Sequence, residues 1–137
     1  MSSSSAMAPS TPNSLLAFDF GIKRVGVATG SRFSGGAQPL KSIHVEGDAR
    51  FVAIEKLIRE WQPDALVIGV PFHPDGAEHE ITQRARRFGR QLKGRFRLAV
   101  YEVDERYTSV EAESQGASDL DSAAAALILE QFLREHP

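Results

Sequence analysis

The chain contains no cysteine, which removes disulfides, thiolate nucleophiles and cysteine-based zinc sites from consideration. It has no apolar run approaching the roughly 20 residues that cross a bilayer, so no membrane partner is expected. Its opening segment, residues 1–13, lacks the basic start and apolar centre of a secretory signal. Strong net charge is missing too. At −2 over 137 residues, the chain is not a uniformly basic nucleic-acid binder. The four histidines, His44, His73, His79 and His136, show no close metal-ligand pairing and read as surface or loop residues. No histidine base stands near Thr108 or Ser109 in the sequence. There is no internal repeat and no sign of a second domain.

Length and a 42% hydrophobic content suit one soluble domain with an ordinary core. The Ser-, Ala- and Pro-rich residues 1–13 read as a disordered leader, residues 14–137 as a single domain, and a cytoplasmic location is the default expectation. Periodicity predicts strands at 15–20, 24–29 and 39–43 joined by short links, as in an antiparallel meander. A helix over 48–61 carries Phe51, Ile54, Leu57, Ile58 and Trp61 at helical spacing and stops before Pro63. The all-apolar 65–70 reads as a strand covered on both faces. A second helix is expected over 77–93, with Ile81, Ala85, Phe88 and Leu92 as its apolar stripe, Glu78 and Glu80 in its first turn and Gly94 at its stop. A fifth strand over 97–103 and a buried Ala/Leu-rich helix over 120–134 complete the order. The expected fold class is α/β: a five-stranded mixed sheet, three antiparallel strands then parallel additions, with helices on both faces.

Acids mark the candidate site. Asp19 sits inside an apolar strand, where an unanswered carboxylate is costly. Asp104 and Glu105 end the fifth strand, and Asp121 begins the last helix. Gathered at neighbouring strand ends, such carboxylates repel one another unless a hard divalent cation such as Mg²⁺ or Mn²⁺ intervenes, and cations of that kind support phosphodiester cleavage. Each acid has a plainer reading as well. Asp119 or Asp121 could serve as an N-cap, Asp104-Glu105-Arg106 as a surface charge run, and Asp19 as the partner of Lys23 or Arg24. Gly21 allows a sharp turn beside Asp19. From Arg84 to Arg97 seven basic residues stand without an acid, either a solvated face or a phosphate-holding surface. Arg84, Arg87 and Arg90, with Lys23, Arg24 and Arg106, are the candidate nucleic-acid contacts. Thr108-Ser109-Val110-Glu111 has the form of a capping box.

Four motifs in order resemble the YqgF/RuvX family: residues 19–28 (DFGIKRVGVA), 67–71 (VIGVP), 104–112 (DERYTSVEA) and 121–125 (DSAAA). The resemblance implies a ribonuclease H-like fold and a metal-dependent nuclease. The family's described activities are maturation of the 5′ end of pre-16S ribosomal RNA, a step of ribosome biogenesis, and Holliday junction resolution. By resemblance Asp19 and Asp121 are metal ligands, and the Asp104-Glu105 pair supplies the third. Adjacent strand residues face opposite ways, so one of the two serves, with Glu105 the preferred member. Structured RNA, branched DNA or the ribosome are the implied partners. Two departures stand out. The related junction resolvases carry a glutamate on the strand after the first helix, and residues 67–70 here contain none. The segment between Glu111 and Asp121 is shorter than the family's usual glycine-containing basic loop. A non-catalytic RNA- or ribosome-binding factor is therefore the alternative from another class. A kinase or ATPase of the actin and sugar-kinase type would need a second domain that this chain has no room for.

Overall fold

The computed structural model describes residues 12–33, 36–73, 75–78, 80–104 and 120–136. Five strands form one sheet in the order β3-β2-β1-β4-β5: β1 (Ser14–Asp19), β2 (Val25–Ser31), β3 (Gly36–Ile43), β4 (Ala65–Val70) and β5 (Ala99–Asp104). β1 to β3 pair antiparallel, and β4 and β5 add in parallel. Among the described residues three helices cover it: α1 (Asp48–Trp61), α2 (Thr82–Phe96) and α3 (Leu120–Glu135).

Alternation along β1 divides the core. Leu16 and Phe18 join Phe51, Ile54, Phe88 and Leu92 beneath α1 and α2. Leu15 and Ala17 join Ile128, Leu129 and Phe132 beneath α3. The centre of the sheet is thus buried on both faces, as its parallel pair β1 and β4 requires, and every residue of β4 is buried. Helix α3 is lined by Ser122 to Ala126, Ile128, Leu129 and Phe132 as buried residues and packs across β1, β2 and β3. Among the described residues no helix is long and apolar enough to cross a membrane.

Helix α1 and strand β4 have the predicted bounds. Helix α2 does not: it starts at Thr82 rather than 77. Asp75 Oδ1 accepts the Ala77 N–H at 2.9 Å, and Phe72 bridges Glu78. Those local bonds hold the chain in a turn and compete with the helix. Glu78 and Glu80 therefore precede α2 instead of opening it. At the other end Gly94 does not stop the helix. Arg97 takes the left-handed conformation at φ 56°, because Phe96 packs on the core and Arg95 stacks over the Phe51 ring at 4.0 Å. Both anchors lie beyond Gly94 and carry the helix past it. Strand β3 begins earlier than expected, at Gly36, and β5 starts later, at Ala99.

Candidate functional site

The carboxyl ends of β1, β4 and β5 lie at one edge of the sheet, and α3 starts over that edge. Asp19 is the last residue of β1 and half-buried. In register it faces Gly26 on β2 and Gly69 on β4, so neither residue directly opposite it carries a side chain. Parallel register puts Gly69 opposite Val103, and Val103 packs with Leu15 and Ala17 under α3. Asp19 therefore belongs to the α3 face.

Gly26 brings the second acid in. A Cβ built there would land on the Asp121 carbonyl and the Ser122 nitrogen; the first turn of α3 rests directly on the backbone next to Asp19. Asp121 lies inside that turn, where the helix's positive end favours a carboxylate. Its Oδ2 accepts from Arg24 Nε at 2.7 Å. Arg24, one of the partners expected for Asp19, pairs with Asp121. With the two side chains 59% and 32% exposed, the pair adds little stability and leaves both groups accessible.

The turn between the acids, residues 20–24, is fixed from two sides. A Cβ on Gly21 would meet the Arg24 carbonyl oxygen at 2.5 Å. Gly21 is needed for that close approach and not for a left-handed φ. Arg50, only 6% exposed, donates to the carbonyls of Ile22 at 2.9 Å and Val45 at 3.1 Å and lies over the Phe20 ring. Burial lowers its guanidinium below the ordinary arginine range, and the charge of Glu46 opposes that shift. Sequence reasoning missed Arg50. Its signal was a charged residue at the 50, 54, 57 spacing of the apolar stripe of α1.

Ser122 was also missed. The β2–β3 register shifts between Val25 and Val27, and the Val27 N–H donates to Ser122 Oγ at 3.0 Å. Ser122 Oγ also bonds Ser42 Oγ at 3.0 Å. All of this is buried and pins α3 beside Asp19. Ser122→Ala leaves the Val27 N–H without that acceptor, and urea denaturation should register a loss of about 1–3 kcal/mol.

The remaining expected site residues fall as follows. Asp104 ends β5 opposite Val70, one residue beyond Val103 and so on the α1/α2 face, away from Asp19. Glu105, Arg106, Thr108, Ser109, Glu111 and Asp119 lie outside the described residues, as do residues 1–11 of the expected leader. Lys23 is exposed in the turn after Asp19. Arg84, Arg87 and Arg90 form an exposed row on α2, on the side of the sheet opposite α3. Two other members of the basic run are engaged: Arg86 with Glu78 and Glu102 at 3.7 and 3.5 Å, and Arg95 with Asp48 at 3.4 Å. Among the described residues no three acids or histidines lie close enough together to hold a metal ion.

A family model described as "RuvX: Holliday junction resolvase" matches residues 13–135. The chain belongs to the RuvX family. A relative from Albidiferax ferrireducens, named "Putative pre-16S rRNA nuclease", is 66% identical over 87% of this chain and 76% of its own length. One from Polaromonas sp., under the same name, is 62% identical over 89% and 88%. Among solved structures, Thermus thermophilus RuvC in complex with a Holliday junction substrate superposes with a TM-score of 0.54 at 14% identity, covering 90% of this chain and 96% of that one. At that identity the likeness concerns the fold, which is ribonuclease H-like as the resemblance implied.

Proposed function

We propose that this RuvX-family chain is a metal-dependent nuclease that matures the 5′ end of pre-16S ribosomal RNA. The observation that carries the reading is the apposition of Asp19 and Asp121 across Gly26, in a chain 66% identical to a relative named for that substrate.

The donor set suits Mg²⁺ or Mn²⁺. It consists of carboxylate oxygens with no sulfur or imidazole among them. Asp19 and Asp121 would hold the ion, with Glu105 as the third acid. Glu105 is preferred to Asp104 because alternation puts Asp104 on the far face from Val103 and Asp19. When bound, a hard divalent ion supplies an activated water and neutralises charge on the phosphate. The chain's own residues do the rest. Asp19 and Asp121 keep two carboxylates together at the sheet edge, aligned by Gly26 and Ser122. Lys23 and Arg24 stand in the adjoining turn, where they neutralise an incoming phosphate and fix its register. Arg84, Arg87 and Arg90 grip flanking phosphates from the other side of the sheet.

Resolution of four-way DNA is the second reading. It has the description of the family model in its favour, and it would call for a symmetric pair of sites, which trimming one RNA end does not. Against it, β4 carries no acid over Ala65–Val70. The test offers a pre-16S 5′-end RNA and a four-way DNA junction in parallel, with Mg²⁺ or Mn²⁺ and then with chelator. Chelator-sensitive cleavage of the RNA alone is the expected result. Cleavage of the junction alone would move the protein to recombination. RNA binding with no cleavage in either metal would leave a non-catalytic ribosome-assembly factor.

A further inference from the structure

At the end of the sheet remote from Asp19, a different surface is built. The β1–β2 ladder runs from Asp19↔Gly26 at one end to Ser14↔Ser31 at the other, and the Arg32 N–H donates to the Asn13 carbonyl just past it. Arg32 and Phe33 there line an open groove of about 760 Å³ together with Glu130 and Arg134 from the C-terminal part of α3 and His136 just beyond it. Phe33 is 84% exposed and belongs to no core cluster. Arg134 offsets the negative end of α3, which accounts for one cation. That does not explain a bare phenyl ring beside a second arginine. Two guanidinium groups against one carboxylate leave the groove cationic.

We propose that this groove binds a single-stranded stretch of the RNA substrate, with a base stacked on Phe33 and phosphates on Arg32 and Arg134. Aromatic platforms flanked by cations are how proteins hold unpaired nucleic acid without reading its sequence. The inference rests on the RNA-nuclease reading and extends it, because it sets a length requirement. Six residue steps of about 3.3 Å separate the groove at Asn13 from Asp19, roughly 20 Å in all. At about 3.4 Å per nucleotide, the spacing along one strand of a stacked duplex, that is roughly six nucleotides between the cleaved bond and the stacked base.

The test uses the full chain. Binding of a fluorescein-labelled 12-nucleotide single-stranded RNA is followed by anisotropy, in the Asp19→Asn background to prevent cutting. Phe33→Ala should weaken binding roughly tenfold, and Phe33→Trp should restore it. Arg32→Gln with Arg134→Gln should reduce the salt slope of log K by about 1.4, for two phosphates on a single strand. In cleavage with Asp19 intact, Phe33→Ala should slow a substrate whose single-stranded arm exceeds about six nucleotides and leave a shorter-armed one unchanged. If Phe33→Ala binds and cuts the long-armed RNA as the wild type does, the groove is overturned while Asp19-dependent cleavage still stands. If the wild type cuts neither arm but Phe33→Ala still weakens binding, the nuclease reading falls and the groove remains.

Discussion

Asp19→Asn is expected to slow cleavage of the ribosomal RNA precursor on the order of a thousandfold while leaving the thermal midpoint nearly unchanged. The amide has the shape of the carboxylate but lacks the charge that would bind a cation. The electrostatic help a metal gives to phosphodiester cleavage amounts to several kcal/mol, and each 1.36 kcal/mol is a factor of about ten in rate. Asp19 is a sensitive place for this because both registered neighbours, Gly26 and Gly69, lack side chains. No adjacent residue on the sheet can substitute for it. Glu105→Gln should match this loss. Asp104→Asn should leave the rate within a few-fold, since Asp104 belongs to the face under α1 and α2. Single-turnover cleavage at saturating metal measures all three. A mutant at Asp19 that keeps a tenth or more of the wild-type rate would remove Asp19 from the proposed metal site. A large loss at Asp104 with none at Glu105 would reverse the choice between the pair.

What could be read beforehand follows from what periodicity encodes. Helix α1 was legible because Phe51, Ile54 and Leu57 recur at its period and Pro63 closes it. Strand β4 was legible because six consecutive apolar residues need cover on both faces. Alternation along β1, which puts Leu15, Ala17 and Asp19 on one face, appears as the division between two core clusters. The start of α2 was misjudged because Glu78 and Glu80 have the composition of a helix N-terminus, yet their neighbours spend their polar groups on a turn. Composition reports preference; it does not report which local bond wins. The candidate site was half legible. Its acids stood out as charges in apolar or terminal settings, but the residues that hold them did not. Ser122 looks like one more small residue in an alanine run, and only the irregular β2–β3 register gives its hydroxyl an N–H to accept. Arg50 reads as an ordinary surface arginine until the turn it clamps is in place. Partnerships across 95 residues, such as Val27 with Ser122, have no local signature.

Gly26→Ala should be a severely damaging single-methyl change, and its effect separates the geometry from the chemistry. The added Cβ would meet backbone, the Asp121 carbonyl and the Ser122 nitrogen, which no rotamer change can move aside. Helix α3 must lift from β2, and overpacking of this kind costs about 1–3 kcal/mol. Lifting it also stretches the Ser122 bond to Val27, worth about another 0.5–1.5 kcal/mol. Against a total stability of about 5–15 kcal/mol the domain should still fold, with a melting temperature lower by roughly ten degrees. Because Asp121 moves with the turn, cleavage should fall nearly as far as in Asp19→Asn although every acid is intact. Gly94→Ala is the control. It lies inside α2 with nothing within 4 Å of the added carbon, so the same substitution should stabilise by about 0.5–1 kcal/mol through helix propensity and leave cleavage untouched. Opposite signs at the two glycines in a thermal melt, with activity lost only at Gly26, are the expected outcome. A Gly26→Ala protein that melts and cuts like the wild type would mean that α3 does not rest on β2 at this point, and the apposition of Asp19 with Asp121 would go with it.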